Sequence, residues 1–86
     1  MQNLLDAMLT LKTKAELSNF LRDLMTIKEI EDISQRWQIV LLLNQRVPYL
    51  EIAHQIGVST TTVTRVALWL HHGKGGYKTA LSRLQK

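Results

Sequence analysis

The stretch Tyr49-Leu50-Glu51-Ile52-Ala53-His54-Gln55-Ile56-Gly57-Val58-Ser59-Thr60-Thr61-Thr62-Val63-Thr64-Arg65-Val66-Ala67-Leu68-Trp69-Leu70 holds the pattern on which the fold turns. Each constrained position in it has a physical reason. Ala53 is small, as it must be where two helices cross closely. Gly57 closes the first helix at a position suited to positive φ, where a residue without Cβ meets little steric cost. Ser59 can cap the free amides of a second helix. Ile52, Ile56, Val58, Val63 and Val66 are spaced to fill the gap between the two. Left over at the start of the second helix, and expected to be exposed, are Thr60, Thr61, Thr62, Thr64 and Arg65. The pattern predicts a helix-turn-helix.

Working outward, helix breakers are almost confined to three places: Pro48, Gly57 and the Gly73-Lys74-Gly75-Gly76 run. Pro48 is placed in the first turn of its helix, where a missing amide hydrogen costs nothing. Thr13-Lys14-Ala15-Glu16 and Thr26-Ile27-Lys28-Glu29 read as capping boxes, in which a hydroxyl and a carboxylate each serve a free backbone amide. The second box opens a long helix to about Gln45, with Ile27, Ile30, Ile33, Trp37, Val40 and Leu41 at helical spacing. Leu41-Leu42-Leu43 is apolar all round and predicts burial on several sides. Met1 to about Lys12 forms a further helix, and Tyr77 to Leu84 a last short one with Tyr77, Leu81 and Leu84 on one face. Strand patterning is absent. The expected fold is all-α, with about six helices in a single domain over 1–86. Residues 1–45 supply core and dimerisation helices, 48–72 the helix-turn-helix, and 77–86 a C-terminal helix.

The chain has 11 Lys and Arg against 7 Asp and Glu, a net charge of +4. From Met1 to Leu43 there are five basic and six acidic residues; from Asn44 onward there are six basic residues and Glu51 alone. A basic half joined to a near-neutral half suggests one end that binds a polyanion and one that serves structure. Eighty-six residues with 45% hydrophobic content support a globular core, yet a chain this short is marginal as a monomer. Sharing a core with a second copy is a common remedy. Cysteine is absent, which rules out disulfides and suits a reducing cytoplasm. No apolar run approaches the roughly 18 residues that a membrane span needs.

A second helix that begins with a cap, threonines and an arginine is what a recognition helix requires. Such helices enter the major groove, where threonine can exchange hydrogen bonds with base edges and its methyl can touch thymine. Thr60, Thr61, Thr62 and Thr64 are therefore expected at base edges and the groove. Arg46, Ser59, Arg65 and Lys74 are expected at phosphates, the natural partners of helix amides and basic side chains.

The chain resembles the Trp repressor family, in particular its Trp repressor-related (YerC/YecD-like) branch. The likeness rests on Thr26, Arg36 and Ile39-Val40 in the long helix, then Gly57, Thr62-Val63-Thr64-Arg65 and Leu70. The closing Gly76-Tyr77-Lys78-Thr79-Ala80-Leu81-Ser82-Arg83-Leu84 is similar to the related branch rather than to the tryptophan-responsive repressors. The resemblance implies an intertwined all-helical homodimer that presents two recognition helices to double-stranded, palindromic DNA. It implies a bacterial, cytoplasmic transcriptional regulator, a repressor by type. It also implies a ligand pocket at Arg36 and Arg65, the positions of the two arginines that sandwich the indole in tryptophan-responsive members. Val66 stands where those members have a glycine that makes room for the ligand, and Trp69 where they have a serine that helps hold its amino group. L-tryptophan, the cofactor the family would suggest, is disfavoured on both counts. Val66, with Trp69, is expected to fill a vestigial pocket; alternatively, Trp69 is a core residue on the apolar face of its helix.

Other readings carry less. The Gly73–Gly76 run lacks the spacing of a phosphate-cradling loop and reads as a connector. Adjacent His71 and His72 point about 100° apart, without the further ligands a metal requires. No paired carboxylates or activated nucleophile suggest catalysis. The rival functions are a protein–protein adaptor built on the helical hairpin, and a repressor that answers to tryptophan or another small effector. The pocket substitutions predict that L-tryptophan leaves thermal stability unchanged at micromolar concentration; micromolar stabilisation in a melting experiment would contradict them.

Overall fold

A computed structural model describes residues 1–85; Lys86, the last residue of the expected 77–86 helix, lies outside the described residues. Six helices follow one another and no strand occurs among the described residues: α1 (Gln2–Leu9), α2 (Lys14–Leu24), α3 (Ile27–Asn44), α4 (Tyr49–Ile56), α5 (Thr60–His72) and α6 (Gly76–Leu84). The all-α expectation holds. Contacts divide the chain into two compact units, Met1–Asp32 and a second that starts at Ile33, so the division falls inside α3. None of the helices is long and apolar enough to cross a membrane.

In the first unit the caps set the helix limits. α1 stops at Leu9, short of the expected Lys12, because both the amide (3.2 Å) and the hydroxyl (2.7 Å) of Thr10 donate to the Ala7 carbonyl and close the last turn. Thr13 caps α2 by accepting from the Glu16 amide at 3.1 Å. The Glu16 carboxylate reaches one residue further back than a capping box implies, accepting from the Lys12 amide at 2.8 Å. Thr26 and Glu29 close the reciprocal box in full, at 2.9 and 3.1 Å. No residue of α1 or α2 is buried, although both helices are amphipathic. Leu4, Leu5, Leu9, Leu17, Leu24 and Ile27 are all exposed.

The second unit holds the buried core: Ile39 and Val40 of α3, Ile52 and Ala53 of α4, Val63, Val66 and Leu70 of α5, and Leu81 of α6. Ile39, Val40, Ile52 and Val63 are wholly inaccessible. Leu41, Leu42 and Leu43 pack against this cluster but are only half-buried. Three consecutive residues span about 200° of a helix, so one core cannot enclose them all. On α6, Leu81 is buried and Tyr77 half-buried, whereas Leu84 is exposed, contrary to a continuous apolar face.

Left-handed residues turn the chain on either side of α4, at Arg46 and Gly57. Arg46 has φ +64°; its amide donates to the Leu43 carbonyl (3.0 Å) and the Val47 amide to the Leu42 carbonyl (3.1 Å), the paired bonds of a Schellman closure of α3. Pro48 then caps α4 from an extended conformation (ψ 147°), one position before the first turn in which it was expected. Its carbonyl takes the Ile52 amide at 3.0 Å. Gly57, with φ +83°, closes α4 as expected, and a Cβ there would meet nothing within 4 Å. Gly57→Ala should therefore cost only backbone strain, about 1–2 kcal/mol. Ile39→Ala should cost about 2–5 kcal/mol by emptying a sealed site. Denaturant unfolding of both variants checks that ordering.

Candidate nucleic-acid interface

The interface is built on how α5 is phased. Val63, Val66, Ala67 and Leu70 form its buried stripe. At about 100° per residue, Thr61, Arg65, Leu68 and His72 fall opposite that stripe and lie on the outer face. All four are exposed. α4 packs across the inner stripe, with Ile52 and the small Ala53 buried at the contact.

Ser59 caps α5: its side chain accepts from the Thr62 amide at 3.2 Å. The amides of Thr60 and Thr61 precede this bond and have no helical partner, a consequence of position in any first turn. The unpaired amides and the helix dipole give this end a positive character suited to an anion. Thr60, Thr61, Thr64 and Arg65 are exposed as expected. Thr62 is not: it is half-buried, and its hydroxyl lies 3.1 Å from the Ser59 hydroxyl. Thr64 turns its hydroxyl proton inward, donating to the Thr60 carbonyl at 2.9 Å.

Arg36, Arg65, Val66 and Trp69, separated by up to 33 positions in sequence, do come together. They line one hollow of about 430 Å³, joined by Thr62 and Tyr77. The hollow is not filled. Val66 is buried and forms a wall, while Trp69 is 62% exposed. Trp69 is thus neither a plug nor a core residue of this chain; three positions after Val66 it has rotated out of the buried stripe to the rim. Tyr77 is the wall residue that the sequence pattern did not single out, because its spacing with Leu81 marked it as part of an apolar face. It also packs on Trp37, with ring centroids 6.2 Å apart and planes tilted by 41°.

The phosphate candidates are distributed around this centre. Lys74 borders a neighbouring hollow of about 350 Å³ with Trp69, Gly73, Gly76 and Tyr77. Gly73 there is required sterically, since a Cβ would collide with the Trp69 carbonyl. Arg46 stands apart from Arg36 and Arg65, on an open hollow of about 570 Å³ with Tyr49, His71 and Lys78 on its border. Beyond Asp32, Arg36, Arg46, Arg65, Lys74, Lys78 and Arg83 are all exposed, and Glu51 is the sole acid. Among the described residues no group of three His, Asp or Glu side chains converges as a metal site.

Comparison with known proteins agrees with this geometry. Residues 1–85 match the family described as Trp repressor protein. The chain is 34% identical over all 86 residues to the uncharacterised protein YerC of Bacillus subtilis (strain 168), covering 83% of its length. Among solved structures, a TrpR-like protein from Eubacterium eligens superposes with a TM-score of 0.91 at 38% identity, over 98% of this chain and 87% of that one. A candidate Trp repressor from Staphylococcus aureus gives a TM-score of 0.90 at 37% identity, over 98% and 84% respectively. With a family match along the described chain and two close superpositions, the protein belongs to the Trp repressor family.

Proposed function

We propose that the protein is a sequence-specific regulator of transcription, a repressor that reads the major groove of double-stranded DNA as a homodimer. The observation that carries this reading is the capped, outward-facing start of α5, set in a unit whose exposed charges are almost all positive. The exposed Thr60, Thr61 and Thr64 meet the groove, while the first-turn amides, Ser59, Arg65, Arg46 and Lys74 meet phosphates. Family membership supports the same assignment. The homodimer is supported by α1 and α2, whose apolar faces cover no buried residue in a lone chain. Two-fold pairing sets two reading heads about one turn of DNA apart, so the preferred site is palindromic.

L-tryptophan is not required in this scheme. This rests on the family resemblance: Val66 stands where the tryptophan-responsive members have a glycine that makes room for the ligand, and Trp69 where they have a serine that helps hold its amino group. The hollow stays open to a different small molecule.

Selection from a random duplex pool, with and without L-tryptophan, tests the proposal. A palindromic motif should emerge equally in both conditions; a motif that needs the amino acid would overturn tryptophan independence. No motif at all would remove the DNA reading. Affinity for the selected duplex should fall steeply between low and high salt, whereas a salt-insensitive complex with a protein would indicate the adaptor function. Lys74→Ala should weaken matched and random duplexes alike and reduce the salt slope by about one unit, which filter binding or anisotropy can measure.

A further inference from the structure

We propose that Thr62 is a positioning residue of the reading head, and that base discrimination belongs to the outward Thr61 with Thr60 and Thr64. The inference rests on the DNA-binding function proposed above and divides the labour within it.

Placement gives the first reason. Thr62 lies on the shoulder of α5, about 100° round from Thr61, on the side that faces Arg36 and Tyr77 across the 430 Å³ hollow. It is half-buried, whereas Thr60, Thr61 and Thr64 are exposed. A base edge that approaches the outer stripe meets Thr61 first, and the exposed Thr60 and Thr64 are open to it in a way that the half-buried Thr62 is not.

Bonding gives the second. A threonine hydroxyl has one proton to donate. The Thr62 hydroxyl is 3.1 Å from the Ser59 hydroxyl, and either can donate to the other. The Ser59 oxygen also accepts the Thr62 amide at 3.2 Å. Two bonds between the same two residues close a ring over the first turn of α5. A lone serine cap leaves its side chain free to rotate out into solvent; here Thr62, stiff at χ1 because it is β-branched, holds it. The ring fixes where the unpaired amides of Thr60 and Thr61 point, and with them the outward threonines. Thr64 differs in kind. Its hydroxyl proton is committed to the Thr60 carbonyl, yet its side chain remains exposed and its oxygen and methyl are still available to a base.

The test compares the wild type with Thr62→Val, Thr62→Ser, Ser59→Ala, the Ser59→Ala/Thr62→Val double variant and Thr61→Val, in duplex selection and in affinity for the selected site. Thr62→Val keeps the shape and loses the hydroxyl. It should enrich the wild-type motif at every position while binding that motif about fivefold more weakly, the usual worth of one neutral hydrogen bond. Thr62→Ser should recover most of the loss. Because the two residues form one device, the double variant should lose clearly less than the product of the single losses. Thr61→Val should change the preferred base pair. A changed motif for Thr62→Val or Thr62→Ser would make Thr62 a reader and overturn the proposal, as would single losses that simply multiply. Should Thr62→Val fail to fold, the motif of Thr62→Ser decides between the same two outcomes. If the wild type itself enriches no motif, the DNA-binding function falls first and this inference falls with it.

Discussion

The contact between α4 and α5 is the constraint from which the proposed interface follows. Ile52 and Val63 are wholly buried, each gaining about 1.5–3 kcal/mol over exposure, and Ala53 is small enough to let the helices approach. Once Val63, Val66, Ala67 and Leu70 face inward, helical geometry leaves no freedom about what faces outward. Thr61 and Arg65 are presented because their neighbours are buried. The left-handed Gly57 permits the sharp reversal between the helices, and the Ser59 cap starts α5 at the right residue.

The two units distribute apolar surface and charge in opposite ways. The part from Ile33 onward buries a compact aliphatic cluster and carries an almost unopposed positive surface. Met1–Asp32 is acidic on balance, buries nothing in α1 or α2, and keeps large aliphatic side chains open. Its hydrogen-bonded devices are local: the Thr26–Glu29 capping box, the Thr13 cap with the Glu16 bond back to Lys12, the Thr10 back-bond and one exposed Lys28–Asp32 pair at 2.9 Å. An exposed pair of that kind adds little, so these elements define where helices begin and end more than how firmly they hold.

Much of this was legible in the sequence because its rules are local. Thr26 and Glu29, Ser59, and Gly57 each announce a cap or turn through residues within four positions. The aliphatic spacing of α5 likewise fixes its buried stripe. What escaped required knowing where separate elements meet. Trp69 shares its helix with buried residues, but one step of rotation places it at the rim of a hollow whose far walls come from α3 and α6. Tyr77 is a wall of that hollow for the same non-local reason. Thr62 looked like its neighbouring threonines, since composition does not reveal which hydroxyl has already found a partner. The division inside α3 was illegible too, because the helical pattern runs through Asp32 and Ile33 without a break.

Arg46 has a consequence of its own. A residue with a Cβ rarely rests in the left-handed region, and here it does so between the Schellman closure of α3 and the start of α4. Glycine would sit there with less strain, but would carry no charge and would leave the unfolded segment more freedom to lose. An arginine at this corner therefore trades backbone ease for a cation on a short, hydrogen-bonded joint. In a homologue that has lost its need for that charge, glycine or asparagine is the replacement the backbone favours.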